Sequence, residues 1–131
     1  MAGFDELLVD ISCPKCGVLL HDFPLQYKFG RPEARQVRLG ARIDWGDVSI
    51  LKRLPSRLSL VYGFPGQRRV VASGYATPCP SCGYSGDCEF GRRGMWHFEI
   101  FVENDVLVAF NLCTGTYDEA LREDYSLVLE P

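Results

Sequence analysis

Two short motifs, Cys13-Pro14-Lys15-Cys16-Gly17 and Cys79-Pro80-Ser81-Cys82-Gly83, place four thiols in two pairs whose first cysteines are 66 positions apart. Within each pair the three-position spacing turns both sulfurs toward one ion, and the glycine that follows lets the backbone turn where a Cβ would clash. Thiolate is a soft ligand, so Cys13, Cys16, Cys79 and Cys82 together make a tetrahedral site whose default occupant is zinc. Four protein ligands leave no position for water, and the expected role of the ion is structural. A rubredoxin-type iron centre uses the same four sulfurs and stands as the alternative metal, with electron transfer as its chemistry.

The remaining candidate chemistry is thinner. Cys88 lies six residues beyond Cys82 and could replace a member of the quartet, while Cys113 follows the apolar run Val106 to Leu112 and reads as a buried thiol. A redox pair of Cys88 with Cys113 has no motif behind it. Only two histidines are present, His21 and His97. His97 alternates with the apolar positions of its segment, so it is expected to point outward beside Glu99 as a hydrogen-bonded surface pair. Asp44, Asp47, Glu99 and Glu103 read as solvated carboxylates near strand ends. The sequence contains no HExxH, no GxSxG, no phosphate loop and no GxGxxG after a strand, which points to a binding or interaction protein rather than an enzyme.

Charge is distributed unevenly along the chain. The net charge is −3, made of −3 over residues 1–27, +7 over 28–93 and −7 over 94–131. The basic middle offers Arg38, Arg42, Lys52, Arg53, Arg57, Arg68, Arg69, Arg92 and Arg93 as possible nucleic-acid contacts, with Tyr27, Trp45, Tyr62 and Phe64 for base stacking. Two features oppose that reading: the aromatics fall on the inward phase of their strands, and the acidic C-terminal third can neutralise the arginines when the chain folds back. A protein partner or self-association is therefore the leading expectation, and nucleic acid the alternative.

The elements that must position the thiols are mostly strands. Phe23, Leu25, Tyr27 and Phe29 alternate with polar positions, and Val37, Leu39, Ala41, Ile43 and Trp45 do so again, predicting two strands joined as a hairpin at Gly30-Arg31-Pro32-Glu33 and closed at Trp45-Gly46-Asp47. Leu58, Leu60 and Tyr62 suggest a further strand before the loop Gly63-Phe64-Pro65-Gly66, and Arg69 to Ala76 is a β-rich run. Trp96 to Glu103 and Val106 to Phe110 flank Asn104-Asp105 as a second hairpin. Thr116 and Glu119 form a capping box ahead of a short helix, Tyr117 to Glu123.

The expected fold is one mostly β domain spanning residues 1–131. It consists of a four-cysteine zinc ribbon from 7–20 and 75–90, split by a β insertion over 21–74 that packs as an antiparallel sheet or small open barrel. A C-terminal hairpin and one short helix occupy 95–131. At 131 residues and 47% hydrophobic, one core is affordable. An acidic start, Met1-Ala2-Gly3-Phe4-Asp5-Glu6, and the lack of an apolar run near the roughly 18 residues of a membrane span predict a cytoplasmic protein without a membrane segment.

The opening Met1-Ala2-Gly3-Phe4-Asp5, the two CPxCG knuckles, Gln26-Tyr27-Lys28-Phe29 and Leu39-Gly40-Ala41-Arg42-Ile43 together resemble a group of small, functionally uncharacterised bacterial and phage proteins. Members of that group open Met-Gly-Met-Phe-Asp and carry one or two CPxCG knuckles, with a Gln-Thr-Lys segment ahead of a Gly-Asp turn. Gln26-Tyr27-Lys28 and Gly46-Asp47 stand in those places here. The resemblance implies a prokaryotic or phage source and a zinc-bearing β fold, and it implies no activity.

Overall fold

The computed structural model describes residues 4–31, 34–45, 63–86 and 94–131. Among these described residues, seven strands and one helix follow in chain order: β1 (Asp5–Ser12), β2 (Leu19–Tyr27), β3 (Gln36–Val37), β4 (Arg69–Ala76), β5 (Trp96–Glu103), β6 (Val106–Leu112), α1 (Asp118–Asp124) and β7 (Ser126–Glu130). They form a single sheet in the order β3-β1-β2-β4-β5-β6, with β7 also paired to β4. The fold is mostly β, with a split four-cysteine ribbon built into this sheet and one short helix near the C-terminus.

Period-two patterning explains the first hairpin. Leu7 and Val9 of β1 and Phe23, Leu25 and Tyr27 of β2 are buried, and the strands pair antiparallel from Asp5↔Tyr27 to Ser12↔Leu19 across the first knuckle. Pro24 lies opposite Leu8, and the other edge of β2 meets β4 only at Gln26↔Tyr75, so the missing proline N–H disturbs no ladder there. The Asn104-Asp105 hairpin also forms as the alternation predicts, with both turn residues at positive φ (49° and 64°).

The stretch from Val37 to Trp45 is not the long strand its alternation predicts, and it makes no hairpin with β2. Only Gln36–Val37 is a strand, and it pairs parallel to β1. A turn at Leu39-Gly40 then redirects the chain, with Gly40 at a φ of +96° that side chains rarely adopt. Beyond the turn the chain runs along β6: the Gly40 amide donates to the Leu107 carbonyl (2.7 Å), the Leu107 amide to Ala41 (3.0 Å) and the Ile43 amide to Asp105 (2.7 Å). One short segment thus touches both outer edges of the sheet, which curls around its core without closing. The alternation holds at Ile43 and Trp45, which are buried, and fails at Leu39, which the turn leaves exposed.

β4 and β5 are covered on both faces. Val70, Ala72, Phe98, Ile100 and Val102 join the main core with Leu7 and Leu25, while Val71 packs on the opposite face with Leu121, Phe101, Tyr117 and Leu127. The expected surface pair His97 and Glu99 is therefore buried, at 4% and 1% exposure. Alternation located the second face correctly but could not show that α1 and β7 would cover it. Glu99 is satisfied there by Thr114, whose amide (3.3 Å) and hydroxyl (2.9 Å) both donate to its Oε2.

The capping box also does not form. The N-cap is Tyr117, one residue beyond Thr116, and it makes no side-chain cap bond, while the Thr116 hydroxyl lies 3.0 Å from that of Thr114. Strand β7, which the sequence reading left unassigned, follows the helix directly. Asp47, Lys52, Arg53, Arg57, Tyr62, Cys88, Arg92 and Arg93, and the positions of the turn predicted at Gly46 and the strand predicted at Leu58 and Leu60, lie outside the described residues. Among the described residues no helix is long and apolar enough to cross a membrane.

Candidate metal centre

The two knuckles are built by the same hydrogen bonds. The Gly17 amide donates to the Cys13 carbonyl and the Gly83 amide to Cys79, each at 2.8 Å. The Cys13 amide donates to Val18 (2.9 Å) and the Cys79 amide to Tyr84 (2.8 Å), so each turn is closed twice in matching register. Gly17 and Gly83 adopt φ of +76° and +77°, as the spacing predicts for the residue that follows the second thiol.

These turns bring the four sulfurs together. All four Sγ atoms lie within 4.8 Å of one another. The shortest separations cross between knuckles: Cys13 to Cys82 is 3.7 Å and Cys16 to Cys79 is 3.9 Å. A tetrahedron of sulfurs about 2.3 Å from a central ion has edges of about 3.8 Å. A disulfide would need about 2.05 Å, so the spacing is that of ligands and not of a bond. Each knuckle contributes one buried thiol, Cys13 or Cys79, and one exposed thiol, Cys16 or Cys82.

The electrostatics favour a cation. Burial raises the Cys13 thiol, but the amides of Cys16 and Lys15 and the neighbouring sulfurs outweigh it and bring its pKa down to about 6. At Cys82 the Tyr84 amide pulls the value down, while burial and the three other sulfurs push it up to about 11. The first thiolate forms easily and the accumulating negative charge resists the next. A divalent ion among the sulfurs removes that resistance.

Packing behind the site ties the knuckles to the core. Trp96, 1% exposed, meets Phe23 (ring centroids 5.7 Å apart) on the hairpin of the first knuckle and Tyr84 (5.5 Å) just after the second. Tyr84 went unnoticed in the sequence, although an aromatic one residue after the knuckle glycine was the available signal. Neither histidine joins the sulfurs. His21 is an exposed neighbour of Asp10 (3.6 Å), as expected of polar surface, and His97 packs edge-on against Tyr75 with its pKa lowered by burial, Asp118 opposing. Cys113 is half-buried and its thiol lies 3.2 Å from Asp118 Oδ1.

The described members of the basic set are largely occupied. Arg38 pairs with Asp22 (2.6 Å), Arg68 with Glu130 (3.8 Å), and Arg69 with both Glu103 (3.5 Å) and Glu130 (3.1 Å). The acidic C-terminal third thus meets the basic middle as the charge pattern suggested. Arg42 sits in the bridge to Val106. Of the stacking candidates, Tyr27 and Trp45 are core residues and Phe64 is exposed. Compared with protein-family models, curated proteins and solved structures, the chain matches none of them.

Proposed function

We propose that this chain is a zinc-stapled interaction module of the prokaryotic or phage type it resembles, working in a reducing compartment such as the cytoplasm. The observation that carries the reading is the cluster of four sulfurs, whose two cross-knuckle separations of 3.7 and 3.9 Å fit the edges of a closed four-thiolate site with no open position for catalysis. The ion holds β1 and β4, two strands far apart in sequence, in one sheet.

Interaction is assigned to the outer edge of β6. Among the described residues segment 40–43 covers that edge only up to Leu107, and beyond it Val108 and Leu112 are 39% and 36% exposed on an edge that another strand can extend. The partner is a protein strand or a second copy of this chain. Native mass spectrometry with elemental analysis tests the first half of the proposal: one zinc per chain and a colourless protein are expected, whereas sulfur-to-iron absorption or a folded, metal-free chain overturns it. Light scattering with Val108→Lys tests the second, since loss of association in the variant alone assigns the edge.

A further inference from the structure

A cavity of about 260 Å³ opens where β4 exchanges one neighbour for another. β5 occupies one edge of β4 along its whole length, so β7 and β2 must share the other. β7 pairs with Arg69 to Ala72 and β2 with Tyr75, which leaves Ser73 and Gly74 in the fork between them. The register puts Gln26, Lys28 and Phe4 from the first hairpin on the same face as Ser73 and Tyr75, and all five line the cavity. Tyr27, Met95 and Tyr125 complete the lining. The Tyr125 carbonyl accepts from the Ser73 amide (2.8 Å), and the Tyr125 backbone is held at a φ of +62° that starts β7 and sets the ring over the fork.

Three features of this cavity point to a ligand. Ser73 is only 4% exposed, yet its Oγ has no hydrogen-bond partner among the described residues. A buried hydroxyl left unpaired is costly, and such groups ordinarily find a partner. Second, Lys28 Nζ stands 5.6 Å above the Tyr125 ring, and among the described residues no carboxylate pairs with it. Among the described residues no acid lines the cavity. Third, the walls are aromatic, with the Tyr75 and Tyr125 rings 6.4 Å apart at 62°. The volume is below the roughly 300–1,000 Å³ of drug-sized sites, so one ring with a short polar arm fills it.

We propose that this fork binds a small aryl carboxylate, its ring against Tyr75 and Tyr125, its carboxylate facing Lys28 and accepting a hydrogen bond from the Ser73 hydroxyl. The site lies apart from the sulfurs and does not depend on the reading of the metal centre or of the β6 edge. The test is a titration of the folded full chain, as purified, with phenylacetate, followed by amide NMR. Saturable shifts confined to residues around Gln26, Lys28, Ser73 and Tyr125 are expected, with no shifts from acetate. The neutral analogue phenylacetamide should bind about tenfold more weakly, as should Lys28→Met toward phenylacetate. Ser73→Ala should weaken binding about fivefold, and Lys28→Met at the half-exposed rim keeps the test decisive if the buried variant does not fold. Absence of saturation at about 20 mM, equal affinity for the amide, or shifts elsewhere overturns the proposal.

Discussion

At the scale of single residues, His97 departs furthest from its expected role. Burial lowers its pKa, so the folded chain keeps the imidazole neutral at a pH where the unfolded chain, with an ordinary value of about 6.5, takes up a proton. The unfolded state then binds more protons, and stability falls as the pH drops through and below about 6.5. Protonation of the metal-binding thiols adds a second acid sensitivity, so the two must be separated. Urea unfolding at about pH 7.5 and 5.5, with zinc in excess, should show a smaller loss of stability on acidification in His97→Gln than in the parent chain. Equal losses would show that His97 titrates alike in both states. The four cysteines present the opposite case, since a CPxCG knuckle is written within five consecutive positions and its backbone turn needs no distant partner.

At the scale of elements, β4 is the hinge of the fold, paired with β5, β7 and β2. Arg69 joins it by ion pairs to Glu103 of β5 and Glu130 of β7, and bonding to Glu130 raises the Arg69 pKa further. These side chains are nearly half exposed, so solvent and salt screen the pairs and each contributes little to stability. Arg69→Gln should therefore lower the denaturation midpoint only slightly at low salt, and the difference should shrink in about 0.5 M salt. A larger, salt-independent loss would mean that the arginine stem packs rather than pairs. β2 and the β5–β6 hairpin were legible in the sequence because period-two alternation is a local property that burial on one face enforces, and β4 was legible as a β-rich run whose two faces are both covered. The segment after Val37 was not, because Gly40 interrupts an otherwise perfect alternation and the partners of Ala41 and Ile43 lie more than sixty residues onward. β7 was missed because its five residues show no clean alternation, with both faces half covered. The cavity beside Ser73 was invisible for a related reason: it arises from which strands share an edge, and no residue type announces that.

At the scale of the whole molecule, one ion would constrain a loop of 62 residues between Cys16 and Cys79. Closing so long a loop costs entropy that the metal offsets, and because a formed site exists only in the folded chain, its binding free energy adds to stability. Chelation should lower the denaturation midpoint by an amount corresponding to several kcal/mol and expose the chain to proteolysis near both knuckles, restored on adding zinc. Unchanged melting after complete removal of metal would show that the core around Trp96 holds the sheet unaided. The same separation has a consequence in time. At roughly 5–20 residues per second of synthesis, Cys79 is added some 3–13 s after Cys13. Throughout that interval the early knuckle is a half-made claw of two reactive thiols on a nascent chain, and any oxidant present competes with the arrival of its other half.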